Sequence, residues 1–251
     1  MLKFTSFNDP FKSFSLLIFF ILFGIPKDSR MIDPSASANA AMNATERNNI
    51  LLNRQARIYV KNYIQNNQEG LSAIRQRSKV PFELIDSVFK QRGIPVELKY
   101  LAVIESELNP NALSPVGARG PWQLMPETAQ LLGLKVSSGR DERTVYYKST
   151  VAAAIYLKDL YTEFGDWLLV LAAYNGGPGP VHRAMQMAGS RNFWQLQSYL
   201  PAESRNHVKK FIATHYYFEG QGSATTLTKA EWIDYTSHIQ PKNEVVSIAV
   251  L

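Results

Sequence analysis

The chain has 251 residues, of which 45% are hydrophobic and 19% charged, enough for one globular domain with a sizeable core plus appendages. It contains no cysteine, which excludes disulfides, a thiolate metal site, a cysteine nucleophile and a lipid-modified N-terminal cysteine. The formal net charge of +6 suits an acidic polymer or an anionic surface as partner, without choosing between them.

Residues 1–25 read as an export signal. Lys3 and Lys12 supply positive charge, and the apolar run 13–25 is shorter than the roughly 20 residues of a spanning helix. Ala36-Ser37-Ala38 and Ala38-Asn39-Ala40 both fit a small-residue cleavage site. They lie further from the apolar run than usual, so an uncleaved N-terminal membrane anchor is the alternative. Residues 26–45 are small and polar, the composition of a flexible linker.

A helical extension is expected over 46–80. Ile50, Leu51, Ile58, Tyr59 and Ile64 give one long helix over 46–68, and 71–79 continue as helix or turn. A short helix over 81–92 is closed by Gly93. The next, over 95–108, opens on Pro95, whose missing N–H costs nothing in a first turn. A Pro- and Gly-bearing loop over 109–120 leads to a short helix over 126–132 and an amphipathic one over 149–164. Asp166 caps an apolar helix through 171–174. Residues 175–180 break it, and 181–188 resume. A helix over 201–218 ends at Gly220. The tail, 221–251, shows helix signals at 229–239 and a β-prone end at 245–251. Strand alternation is nearly absent, so the chain reads as all-α, or α+β at most, with a small hairpin near 112–124.

The chemistry concentrates on the helix over 95–108. Leu98, Leu101, Ala102 and Glu105 share one face; Tyr100, Val103, Ile104 and Glu107 share another. Both faces are apolar, so the helix is expected to be buried on most sides. An acid at its C-terminal end is then unusual. Desolvation and the negative end of the helix dipole both raise a carboxyl pKa, and a carboxyl protonated near neutral pH can act as a general acid. Pattern alone leaves Glu105 and Glu107 open, since most helical glutamates are solvated surface residues.

Residues 105–129, ESELNPNALSPVGARGPWQLMPETA, and residues 172–179, AAYNGGPG, narrow the choice. They resemble the two halves of the signature of soluble-type lytic transglycosylases (glycoside hydrolase family 23), in the family's order. The likeness extends over about 81–218. It implies a lysozyme-like domain over 81–220 with a cleft between helical lobes, acting on peptidoglycan glycan strands without cofactor or metal, in the periplasm or cell envelope.

The resemblance also implies roles residue by residue. Glu105 is the single acid/base. Ser114 contacts the sugar or its acetamido group. Gln123 hydrogen-bonds substrate, and Trp122 or Met125 walls the cleft. Tyr174 and Asn175 stand in the family's Ala-Tyr-Asn-x-Gly motif, with the phenol near the acid. Glu203 matches a late acid in Leu-Pro-x-Glu-Thr-x-x-Tyr-Val; here Ser204 stands for the threonine and His207 for the tyrosine. On pattern alone, Trp122 and Tyr174 are equally core residues.

Other chemistries are weaker. Gly176, Gly177 and Gly179 lack the Gly-Lys-Ser/Thr ending and preceding strand of a phosphate loop. His182, His207, His215 and His238 form no zinc pattern, and no acidic calcium loop is present. A nucleic-acid reading rests on charge alone. Two rivals stay open. A goose-type lysozyme chemistry would need a second carboxylate, for which Asp141, Glu142 and Glu163 are candidates. A non-catalytic peptidoglycan-binding module would have no need of the acid.

Overall fold

The structure is a computed structural model that describes residues 52–239. The signal, the linker, the start of the helical extension and the β-prone end lie outside these residues.

The extension is two helices, α1 (Arg54–Asn66) and α2 (Gln68–Arg77), the second taking up most of the stretch expected as helix or turn over 71–79. Asn67 divides them: its backbone leaves helical geometry, with φ −120° and ψ 14°, and its side-chain amide donates to the Tyr63 carbonyl at 2.8 Å. Asn53 caps α1 by accepting from Gln55 N–H at 2.8 Å. Next comes α3 (Lys79–Arg92), closed by Gly93 at φ 68° as its sequence predicts.

The element expected over 95–108 is a 3₁₀ turn, Val96–Lys99, running into a seven-residue helix, α4 (Tyr100–Ser106). It stops early because Glu107 and Leu108 both take positive φ, 54° and 69°. Their N–H groups bond back to the carbonyls of Val103 at 2.8 Å and Ala102 at 3.2 Å, which closes the helix on itself.

After α5 (Pro126–Leu131), the hairpin of the described residues is β1 (Val136–Ser137) against β2 (Arg140–Asp141), antiparallel. The expected hairpin near 112–124 is reduced to isolated bridges, Leu113 with Arg119 and Arg119 with Leu124. The long helix α6 (Tyr146–Phe164) begins three residues earlier than its apolar pattern indicates. In α7 (Trp167–Gly176) every residue from Trp167 to Ala173 is buried. Asp166 caps it, accepting from Leu168 N–H at 2.9 Å and Leu169 N–H at 3.4 Å. The expected break over 175–180 shrinks to Gly177. Pro178 then opens α8 (Pro178–Ala188), where it needs no donor. A four-residue helix, α9 (Phe193–Leu196), was not legible; α10 (Ala202–Glu219) and α11 (Lys229–Ile239) match their patterns closely.

The architecture is all-α apart from the small hairpin. The buried α7 is flanked by α6, α8 and α10, and α10 also packs on α1 and α4. This brings the C-terminal turn of α4, the C-terminal end of α7 and the first turns of α10 together. The segment after Gly220, expected as a tail, is tied to the core. The Glu231 carboxylate accepts from Trp194 Nε1 at 3.1 Å and from Thr228 N and Oγ1 at 2.8 and 2.9 Å, and it also bonds the Asn53 amide. Thr228 and Glu231 make a capping box for α11. Among the described residues no helix is long and apolar enough to cross a membrane.

Candidate active site

The two acids of the central helix part company. Glu107, in left-handed conformation just past α4, is exposed and pairs with Arg77 at 3.1 Å. Glu105, two residues earlier and inside the helix, keeps only 15% of its side chain exposed. Burial raises its pKa to about 8; the Lys210 ammonium opposes the shift and the nearby Glu203 carboxylate adds to it. Glu105 is therefore protonated at neutral pH. It lines a cleft of about 720 Å³ with Arg77, Ile104, Ser106, Glu107, Leu108 and Asn109.

The loop beyond α4 is held against it. Ser106 Oγ donates to the Pro121 carbonyl at 2.9 Å. Gly120 has φ 83°, and a β-carbon there would overlap the backbone carbonyl of Arg143, so only glycine fits. The buried Arg143 clamps the loop from below. Its guanidinium donates to the carbonyls of Gly117 and Leu124 at 2.8 and 2.9 Å while pairing with both Asp141 oxygens, at 2.9 and 2.7 Å. Neither this clamp nor the need for it was visible in the sequence, because its partners are mostly backbone carbonyls.

Gln123 sits at φ 45°, and its Nε2 donates to the Gly120 and Ala112 carbonyls at 2.9 and 3.3 Å. Ser114 Oγ accepts from Ala118 N–H at 2.9 Å. Met125 is 38% exposed at the start of α5. Trp122 does not wall the cleft. It is fully buried against Phe89, with Nε1 donating to Thr150 Oγ1 at 3.0 Å, because an apolar ring of that size gains most in the core.

From α7, Tyr174 Oη donates to the Trp122 carbonyl at 2.7 Å. Burial, with the Glu105 charge next in weight, holds this phenol well above its ordinary pKa, so it stays a donor. Asn175 Oδ1 accepts from Ser204 Oγ at 2.9 Å, locking the end of α7 to the start of α10. Glu203 is exposed in the first turn of α10, within reach of Glu105 electrostatically.

Glu105, Tyr174 and Glu203 are thus brought together, with Asn175 beside them. Gln123 and Ser114 belong to the loop hung on Ser106; no hydrogen bond joins Ser114 or Met125 to Glu105 among the described residues. The residue that sequence reasoning assigned no role is His207, whose Nε2 lies 3.5 Å from Glu105 Oε1. Its signal was present: Glu203, His207 and Lys210 stand at i, i+4 and i+7, one face of α10.

The candidate second carboxylates are engaged elsewhere. Asp141 is taken by Arg143 and Arg119. Glu142 accepts from Lys148, Arg140 and Lys135 N–H, which hold its pKa down near 2. Glu163 pairs with His182. Among the described residues no group of three metal-binding side chains forms.

Residues 85–197 match the transglycosylase SLT domain. Membrane-bound lytic murein transglycosylase D of Escherichia coli K12 is 36% identical over 152 residues, 59% of this chain and 33% of that protein. The soluble lytic murein transglycosylase of Salmonella typhimurium is 31% identical over 154 residues, 56% of this chain and 24% of that protein. The chain therefore spans a third or less of the length of these two relatives. Among solved structures, the 70 kDa soluble lytic transglycosylase of Escherichia coli superimposes with a TM-score of 0.55 and 27% identity, over 70% of this chain and 32% of that one. A 70 kDa soluble lytic transglycosylase in complex with bulgecin A superimposes with a TM-score of 0.56 and 25% identity over the same shares. Residues 85–197 are thus similar to a transglycosylase SLT domain, within a fold similar to that of the soluble lytic transglycosylase.

Proposed function

We propose that this chain is a lytic transglycosylase of peptidoglycan that uses Glu105 as its sole acid/base. The observation that carries this is a single desolvated carboxyl, protonated near neutral pH, at the wall of an open cleft. Glu105 gives its proton to the oxygen between N-acetylmuramic acid and N-acetylglucosamine, and the C–O bond breaks. The muramoyl C6 hydroxyl attacks its own anomeric carbon, and its proton returns to the Glu105 carboxylate. The product is a 1,6-anhydromuramoyl end, without net uptake of water. The attack gains from a nucleophile already in place within the sugar.

The remaining residues position substrate. Gln123 spends its amide nitrogen on the loop, leaving its oxygen for a substrate O–H or N–H. Ser114 and Met125 edge the same loop, Tyr174 and Asn175 stand beside the acid, and Glu203 adds negative charge where a cationic sugar develops. Asp141 and Glu142 are engaged in ion pairs and Glu163 is paired with His182, so none of these three serves the hydrolytic, lysozyme-type alternative; Glu203, near Glu105, is the carboxylate that alternative would use to activate water. Domain limits of 81–220, export by residues 1–25 and action in the cell envelope belong to the same proposal.

Mass spectrometry of muropeptides released from purified peptidoglycan tests it. Anhydromuramoyl ends that vanish with Glu105→Gln are the expected result. Reducing ends, one water heavier, would overturn it in favour of hydrolysis, and binding without release would make the chain a wall-binding module.

A further inference from the structure

The imidazole of His207 sits against the proposed acid without a hydrogen-bond partner. His207 is 7% exposed, and its Nε2, shielded from solvent, makes no hydrogen bond. Glu105 Oε1 lies 3.5 Å away, just beyond hydrogen-bond length. An unpaired buried ring nitrogen costs stability, so its retention here needs a reason. Contacts of this kind in empty active sites are often long and tighten once substrate closes the cleft.

The ring is neutral. Burial and, second, the Lys210 ammonium on the same helix push its pKa down to about 3. The other titratable groups around the pair come from the elements packed against it. Glu203 comes from α10, Tyr174 from α7, and Glu107, beyond α4, is held by Arg77 of α2. From α1, Tyr63 is coupled to Glu107. A neutral imidazole facing a carboxyl can accept from it or donate to it. Accepting would aim the labile proton at the histidine, away from the bond to be cleaved. Donating fixes that proton on the other oxygen and supports the carboxylate that its departure leaves.

We propose that His207 is a positioning residue for Glu105, donating Nε2–H to Oε1 so that the acidic proton resides on Oε2, facing the cleft. This rests on Glu105 being the acid. The effect on the cycle is specific: a neutral donor stabilises the carboxylate intermediate without the permanent charge of a lysine.

The test is the initial rate of muropeptide release against pH for the full chain and for His207→Phe, His207→Gln, His207→Tyr and Glu105→Gln. In His207→Phe the alkaline limb, set by Glu105, moves up by about one unit and the optimum rate falls roughly tenfold, the worth of one hydrogen bond to a charged group. The amide of His207→Gln or the phenol of His207→Tyr, both neutral donors, restores the limb. An unchanged limb in a folded His207→Phe, a downward move, or no recovery with Gln or Tyr overturns the proposal. Nitrogen chemical shifts of His207 in the unaltered chain give a second reading that needs no variant. A protonated Nε2 is expected, and an unprotonated Nε2 overturns it. Activity surviving in Glu105→Gln would instead overturn the assignment of the acid, a distinguishable result.

Discussion

Tyr174 and Trp122 are 52 positions apart in sequence and joined by one hydrogen bond, phenol to backbone carbonyl, at 2.7 Å. That bond ties the end of the buried α7 to the turn that carries Gln123. It connects the two halves of the sequence signature directly. Tyr174→Phe leaves the carbonyl of a buried residue without its donor, which costs about 1–3 kcal/mol. The expected outcome is a lower Tm together with a release rate reduced roughly tenfold or more per folded molecule. A lower Tm with an unchanged rate would limit the tyrosine to holding the turn.

Glu105 makes stability depend on pH in an uncommon direction. Its folded pKa is about 8 against 4.5 for the free side chain. Between these values the unfolded chain releases the proton and the folded one keeps it, so the unfolded state gains and stability falls as pH rises. Above about 8 the loss is complete. Glu105→Gln removes the titration, so its advantage over the unaltered chain is expected to be small at pH 4 and on the order of a few kcal/mol at pH 9. Thermal melts of both proteins across that range check this. A difference that does not change with pH would contradict the desolvated carboxyl.

Gly120 is required by contact as well as by φ. Gly120→Ala drives a β-carbon into the Arg143 carbonyl at a backbone position that L-residues rarely adopt. A cost of about 3 kcal/mol or more is expected, with loss of activity because the loop bearing Ser114 and Gln123 shifts. Urea titration gives the stability change. Gly139→Ala serves as control, since a β-carbon there meets nothing.

Glu231 links α1, α9 and α11 through Asn53, Trp194 and Thr228. Glu231→Ala strands the Trp194 indole N–H and uncaps α11, a loss of about 1–3 kcal/mol. The proposed chemistry lies elsewhere, so the release rate per folded molecule should stay near that of the unaltered chain. A selective loss of rate without a loss of stability would point to a role for the segment in substrate binding.

Much of this protein follows from local sequence. Helix ends at Gly93, Gly165 and Gly220 and the cap at Asp166 are set by residues whose backbone or side-chain preferences act within one turn. The apolar run 167–173 had to be buried wherever it fell, and residues 105–129 with 172–179 carried the family likeness. Three things were decided only by tertiary structure. On helix pattern alone Glu105 and Glu107 look alike; the physical difference between them arises because two positive-φ residues end α4 and turn Glu107 out to Arg77. The hairpin expected near 112–124 is reduced to isolated bridges, and Arg143, distant in sequence, claims the carbonyls of Gly117 and Leu124. His207 had no role until α10 packed against α4 and placed its ring beside the acid. Local preferences act through bonds within a few residues. Desolvation and charge coupling depend on which distant side chains share a small volume, and that is fixed only when the helices pack.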